Sequence, residues 1–140
     1  MSEVVLDANV LLRLLTGKPH DLADRAKAII AEAERKRVFL VLTPLTLAEV
    51  VFVLQSVYDR DRKEVAEQLL DLISAPSLTV LDRPALQQAL IWYRDVHGIH
   101  FADAYVAAVA TARGHGRVAS FDRHVGRLPG VTAIQQVADL

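Results

Sequence analysis

With 140 residues, 52% of them hydrophobic, the chain is sized for one domain with one core, and its composition excludes a disordered protein. A formal net charge of −1 excludes a polycation built to coat nucleic acid. The lack of cysteine excludes disulfides and thiolate metal sites, and no apolar run is long enough to span a membrane. The opening Met1-Ser2-Glu3 has no basic leader, so the expected location is the cytoplasm. No linker, repeat or low-complexity tract interrupts the chain, which is expected to be a single domain over 1–140.

Residues 4–6 read as a buried strand, 8–15 as a short helix, and 20–35 as a longer helix with Ala and Ile at helical spacing. The continuous apolar run 38–42 suits a strand covered on both faces. Thr43-Pro44 is a helix start, with Thr as cap and Pro at the first helical position, and this helix is expected to reach Tyr58. Asp61 is expected to cap a further helix to Ser74, with Val65, Leu69 and Leu72 on one face, and Ala75-Pro76 breaks it. A strand at 78–81, a helix from Asp82 to Val96 and a turn at His97-Gly98 follow. A helix over 101–113 ends at Gly114, and strands are expected at 118–120 and 131–134. Strands separated by helices imply parallel pairing with crossover helices. Ligands of such sheets sit at the carboxyl ends of strands, where Asp7 and 120–122 fall.

Three carboxylates stand in apolar surroundings. Asp7 ends Val4-Val5-Leu6, Glu49 lies within the apolar run 45–54, and Asp103 lies within 101–110. None has Arg or Lys three or four residues away. An unpaired carboxylate is costly to remove from water, so the expectation is that the three converge on a divalent cation. Each has a structural alternative: Asp7 or Asn9 as a helix cap, Asp103 as an acid in the first turn of its helix, Glu49 as a solvent-facing helical residue. Asp122, after the strand ending at Ser120, is a fourth candidate, with a turn paired to a nearby arginine as its alternative. Asn9 and Ser120 could orient waters or carboxylates by hydrogen bonds, while Thr43 is expected to be a plain cap. Oxygen ligands suit Mg²⁺ or Mn²⁺, whose chemistry fits phosphodiester hydrolysis.

The run Val4-Val5-Leu6-Asp7-Ala8-Asn9-Val10-Leu11-Leu12 resembles the opening strand and Asp-x-Asn signature of PIN domains. Thr43-Pro44-Leu45-Thr46-Leu47-Ala48-Glu49 resembles their second acidic motif, Phe101-Ala102-Asp103-Ala104 the third and Ser120-Phe121-Asp122 the fourth. Within the family the chain is most similar to VapC-like toxins of bacterial toxin–antitoxin pairs. The resemblance implies a three-layer α/β/α sandwich with a central, mainly parallel sheet. It implies a Mg²⁺- or Mn²⁺-dependent endoribonuclease with Asp7, Glu49, Asp103 and the more variable Asp122 as its acidic metal-binding positions. It also implies RNA as substrate, a homodimer, and a cognate antitoxin that blocks the acidic pocket.

Other features carry less. His20, His97, His100 and His115 form no helical pair of the kind found in zinc enzymes, although His100 lies one turn before Asp103. Arg13 could reach phosphate or pair with an acid, and Trp92 and Tyr93 are expected to pack. Arg113, Arg117, Arg123 and Arg127 face one acid, Asp122, across 111–130, which could meet phosphates or simply be a solvated surface. A receiver-like phosphoacceptor domain shares the length and fold class, but it needs adjacent acids near the start and a late lysine. Here Asp7 stands alone and no lysine follows Lys63. An inactive PIN-like binding module is the remaining alternative, opposed by the intact acids.

Overall fold

The computed structural model describes residues 2–140. Its elements fall into two units: the first runs to Arg60 and includes Asp71–Asp82, and the second takes Asp61–Leu70 and Arg83–Leu140.

The first unit contains strand β1 (Glu3–Val5), helices α1 (Ala8–Thr16) and α2 (His20–Lys36), strand β2 (Phe39–Leu42), helix α3 (Pro44–Ser56) and strand β3 (Leu78–Val80). The strands pair in parallel in the order β1-β2-β3, with Val4 opposite Leu40 and Val41 opposite Thr79. Parallel neighbours cannot be joined by a tight turn, so helices carry the chain back between them. Leu40, Val41 and Leu42 are buried in succession, so β2 is covered on both faces as its apolar run predicts. The expectation for β1 is corrected. Val4 and Val5 are 47% and 64% exposed because β1 is the edge of its sheet, and only the following Leu6 is buried.

Local chemistry sets the helix ends. Helix α1 buries Ala8, Leu11 and Leu12 on one face and stops at Gly17, whose φ of 70° suits glycine and whose N–H bonds the Arg13 carbonyl at 2.9 Å. Helix α2 buries Ala23, Ala26 and Ala33, a face of small side chains that permits close packing. Thr43 caps α3 by accepting from the Thr46 N–H at 3.2 Å, and Pro44 opens the helix. The helix buries Leu47, Val50, Val51 and Leu54 and ends at Ser56, short of the expected Tyr58. Three non-glycine residues at junctions take left-handed backbone: Arg37 (φ 57°), Asp59 (φ 51°) and Asp82 (φ 57°).

Helix α4 (Arg62–Ile73) contributes residues 62–70 to the second unit. That unit also contains α5 (Arg83–Asp95), α6 (Phe101–Ala112) and the parallel pair β4 (Arg117–Ala119) and β5 (Thr132–Ile134), with Val118 opposite Ala133. Short 3-10 turns at Val125–Arg127 and Val137–Asp139 add to the expected elements. Trp92 and Tyr93 are buried in α5 beside Leu86, Ala89 and Leu90, so they pack as expected. Their end of the helix is fastened by Arg62. Its guanidinium donates to the Tyr93 carbonyl at 2.8 Å and to the Ile99 carbonyl, and its carbon lies 4.2 Å from the Tyr93 ring centre. Tyr93 in turn meets Phe101 edge-on at 6.1 Å, and burial raises its phenol pKa.

Strand–helix alternation thus yields the expected mixed α/β fold with parallel strands. Among the described residues no helix is long and apolar enough to cross a membrane. Replacing Arg62 by Ala removes charge-assisted bonds to two carbonyls and should cost about 2–3 kcal/mol in urea unfolding. Arg62→Lys should recover only part of this loss, because an ammonium cannot reproduce the planar fork.

Candidate active site

In the first unit Asp7 sits between β1 and α1 as the N-cap, its Oδ2 accepting from the Asn9 N–H at 3.2 Å. Of the two capping candidates the structure selects Asp7, which leaves the Asn9 side chain outside that role. The Thr46 hydroxyl donates to the Leu6 carbonyl at 3.4 Å and accepts from the Thr43 hydroxyl at 3.1 Å. These bonds hold the first turn of α3 against the residue that precedes Asp7, and Glu49 follows one turn further along. Thr43 is a cap, as expected.

The premise that these acids are withdrawn from water is corrected. Asp7 and Glu49 are exposed, and no charged side chain among the described residues is fully buried. The apolar run around Glu49 misleads because α3 leaves Leu45 81% and Phe52 66% exposed, one turn either side of Glu49. Apolar neighbours in sequence do not amount to an apolar environment when the helix turns that face outward.

In the second unit the structure brings Asp103 and Asp122 together. Asp103 lies in the first turn of α6 and is half-buried; Asp122 follows β4. Desolvation, then the charge of Asp122 and the hydrogen bond between them, raise the Asp103 carboxyl above its ordinary pKa, against the lowering effect of His100. Asp122 is pushed the other way, first by the His124 backbone N–H and then by the His124 ring. The His124 N–H donates to Asp122 Oδ1 at 2.8 Å, the ring Nδ1 lies 2.9 Å from the same oxygen, and the Asp122 N–H donates to Ser120 Oγ at 3.0 Å. Asp103 therefore takes a proton before Asp122 does, and the two titrate as a pair.

His124 is the residue that sequence reasoning missed. Its signal was an Asp two positions before it, just after a strand, where Asp folds back onto the chain. Gly98 is the other. It has φ +84°, and a Cβ there would lie 2.7 Å from His124 Nε2, so the turn before α6 closes on the histidine only as glycine. Ser120 holds the Asp122 loop, which gives it the orienting position proposed from sequence.

Within neither unit do three or more His, Asp or Glu among the described residues gather as a metal-binding group. The donor chemistry nevertheless fits a hard divalent ion. It consists of carboxylate oxygens, and the repulsion that makes Asp103 hold a proton beside Asp122 is what a 2+ charge relieves.

Two outcomes follow for the second unit. Gly98→Ala should destabilise by about 1 kcal/mol or more through its positive φ and displace His124 in NMR spectra, whereas a surface change such as Arg113→Ala should do neither. A raised carboxyl pKa costs stability once the group is ionised. Asp103→Asn, measured in EDTA, should therefore raise the melting temperature at neutral pH, with the advantage vanishing below the ordinary carboxylate pKa of 3.8.

The PIN domain family model matches residues 4–131, an interval that contains Asp7, Glu49, Asp103 and Asp122. No curated protein and no solved structure matches the chain. With most of its length matched, the chain belongs to the PIN domain family, whose members are generally metal-dependent nucleases.

Proposed function

We propose that this PIN domain is a Mg²⁺- or Mn²⁺-dependent endoribonuclease acting as the toxin of a VapBC-type toxin–antitoxin pair. Asp7, Glu49, Asp103 and Asp122 would hold the ion, with Asn9 and Ser120 orienting carboxylates or water. When bound, such an ion lowers the pKa of water and stabilises charge on a phosphoryl oxygen. Water attacks phosphorus in line, the bond to the 3′ oxygen breaks, and the products carry 5′-phosphate and 3′-hydroxyl ends.

The observation that carries this reading is the Asp103–Asp122 pair in a chain of this family. His124 and Ser120 fix Asp122 in place, so the pair is preorganised. Single-stranded or looped RNA is the favoured substrate because unstacked bases are open to recognition. Phe121, 88% exposed beside Asp122, offers a ring on which such a base can lie. The antitoxin is supported by Leu45 and Phe52, apolar side chains flanking Glu49 that a bound protein would cover. The homodimer rests on the family resemblance, and light scattering at high micromolar concentration tests it.

Purified protein should cut single-stranded RNA with Mg²⁺ or Mn²⁺ and not with EDTA. Asp7→Asn and Asp103→Asn should each abolish cutting while circular dichroism stays native, and sequencing of RNA 5′ ends after induction should show sites absent from the Asp103→Asn control. Cleavage by Asp103→Asn at the wild-type rate would overturn the assignment. Because Asp103 holds a proton that an ion must displace, Mn²⁺ affinity measured by calorimetry should rise with pH through the raised Asp103 pKa. Pair-independent binding would give a flat profile there.

A further inference from the structure

The carboxylates leave one cationic feature of the first unit unused. A groove of about 330 Å³ lies between α1 and α2. Asn9, Val10 and Arg13 line it from α1, and Leu22, Arg25 and Ile29 from α2. The lining contains two arginines and no carboxylate. Arg13 spends one donor on the Lys18 carbonyl at 3.4 Å, and among the described residues neither guanidinium is ion-paired. The groove begins at Asn9, whose N–H bonds the Asp7 carboxylate, and Arg13 lies one helical turn, ~6 Å, further along the same face of α1.

We infer that this groove is a backbone subsite for single-stranded RNA, in which Arg13 and Arg25 bind phosphates flanking the bond that is cut. The inference rests on the ribonuclease reading and adds to it the path of the substrate. An anionic polymer cut beside Asp7 must continue along the surface, and this groove is a cationic path that starts there. Guanidinium groups suit it, because their forked donors match phosphate oxygens. The apolar floor of Val10, Leu22 and Ile29 suits the faces of bases, which need no particular sequence to lie on it. An acidic protein segment would match the charge as well, but nothing about it would require the groove to open at Asp7.

The test is fluorescence anisotropy of a short labelled single-stranded RNA in EDTA, so that it stays uncut, across a series of KCl concentrations. Arg25 is exposed, and Arg25→Glu should fold normally, weaken binding about tenfold and flatten the slope of log affinity against log salt by ~0.7, the loss of one phosphate contact. Arg13→Gln should act in the same direction. Arg35→Ala, at the far end of α2 where Arg35 is paired to Glu32, should change neither quantity. Wild-type affinity and slope in both groove variants would overturn the inference and leave the groove to a protein segment. Cleavage with Mn²⁺ is read separately. If wild type binds RNA through Arg13 and Arg25 but cuts none, the ribonuclease reading fails and the subsite stands; if it cuts RNA while the groove variants bind normally, the reverse holds.

Discussion

The second unit hangs on one guanidinium. Arg62 bonds the carbonyl at the end of α5 and the carbonyl of Ile99, and it rests on the Tyr93 ring. Those contacts satisfy acceptors that a helix end and a turn would otherwise leave open. They also set where the chain turns, and everything downstream inherits that position. Phe101 packs on Tyr93, α6 starts, and Asp103 falls in its first turn. The turn in between closes over His124 at Gly98, and His124 grips Asp122. A packing interaction some way from the chemistry thus determines how two carboxylates face each other.

Each candidate acid in a fixed position also performs a structural task. Asp7 caps α1, and Asp122 organises the loop after β4 through the bond it accepts from the His124 backbone N–H. Cap and ligand are compatible roles, because a carboxylate has more lone pairs than one hydrogen bond consumes. The oxygen that caps is thereby oriented, which is the condition for holding an ion without further ordering. Glu49 is the exception: it is exposed on α3 and only the helix itself locates it.

Local chemistry was legible and long-range chemistry was not. Thr43-Pro44, Asp7 and the glycine after α1 act within a few residues of themselves, and the structure uses Thr43, Asp7 and Gly17 as caps. The apolar run of β2 reads correctly because burial on both faces leaves no alternation to interpret. The run before Asp7 looks the same in sequence but belongs to an edge strand, a fact decided by pairing order. Glu49 shows the same limit, since the outward face of α3 is apolar without being covered. The Asp103–Asp122 pair could be proposed from motif order, but His124 and Gly98 became visible only once residues far apart in sequence were in contact.

The left-handed residues Arg37, Asp59 and Asp82 have a consequence for robustness. A side chain in that conformation costs on the order of 1 kcal/mol, less for Asp than for a long residue such as Arg. All three occur where the chain leaves one element for another, and none is glycine. The fold therefore keeps an unused reserve of thermal resistance at its joints, open to directed improvement without touching a carboxylate.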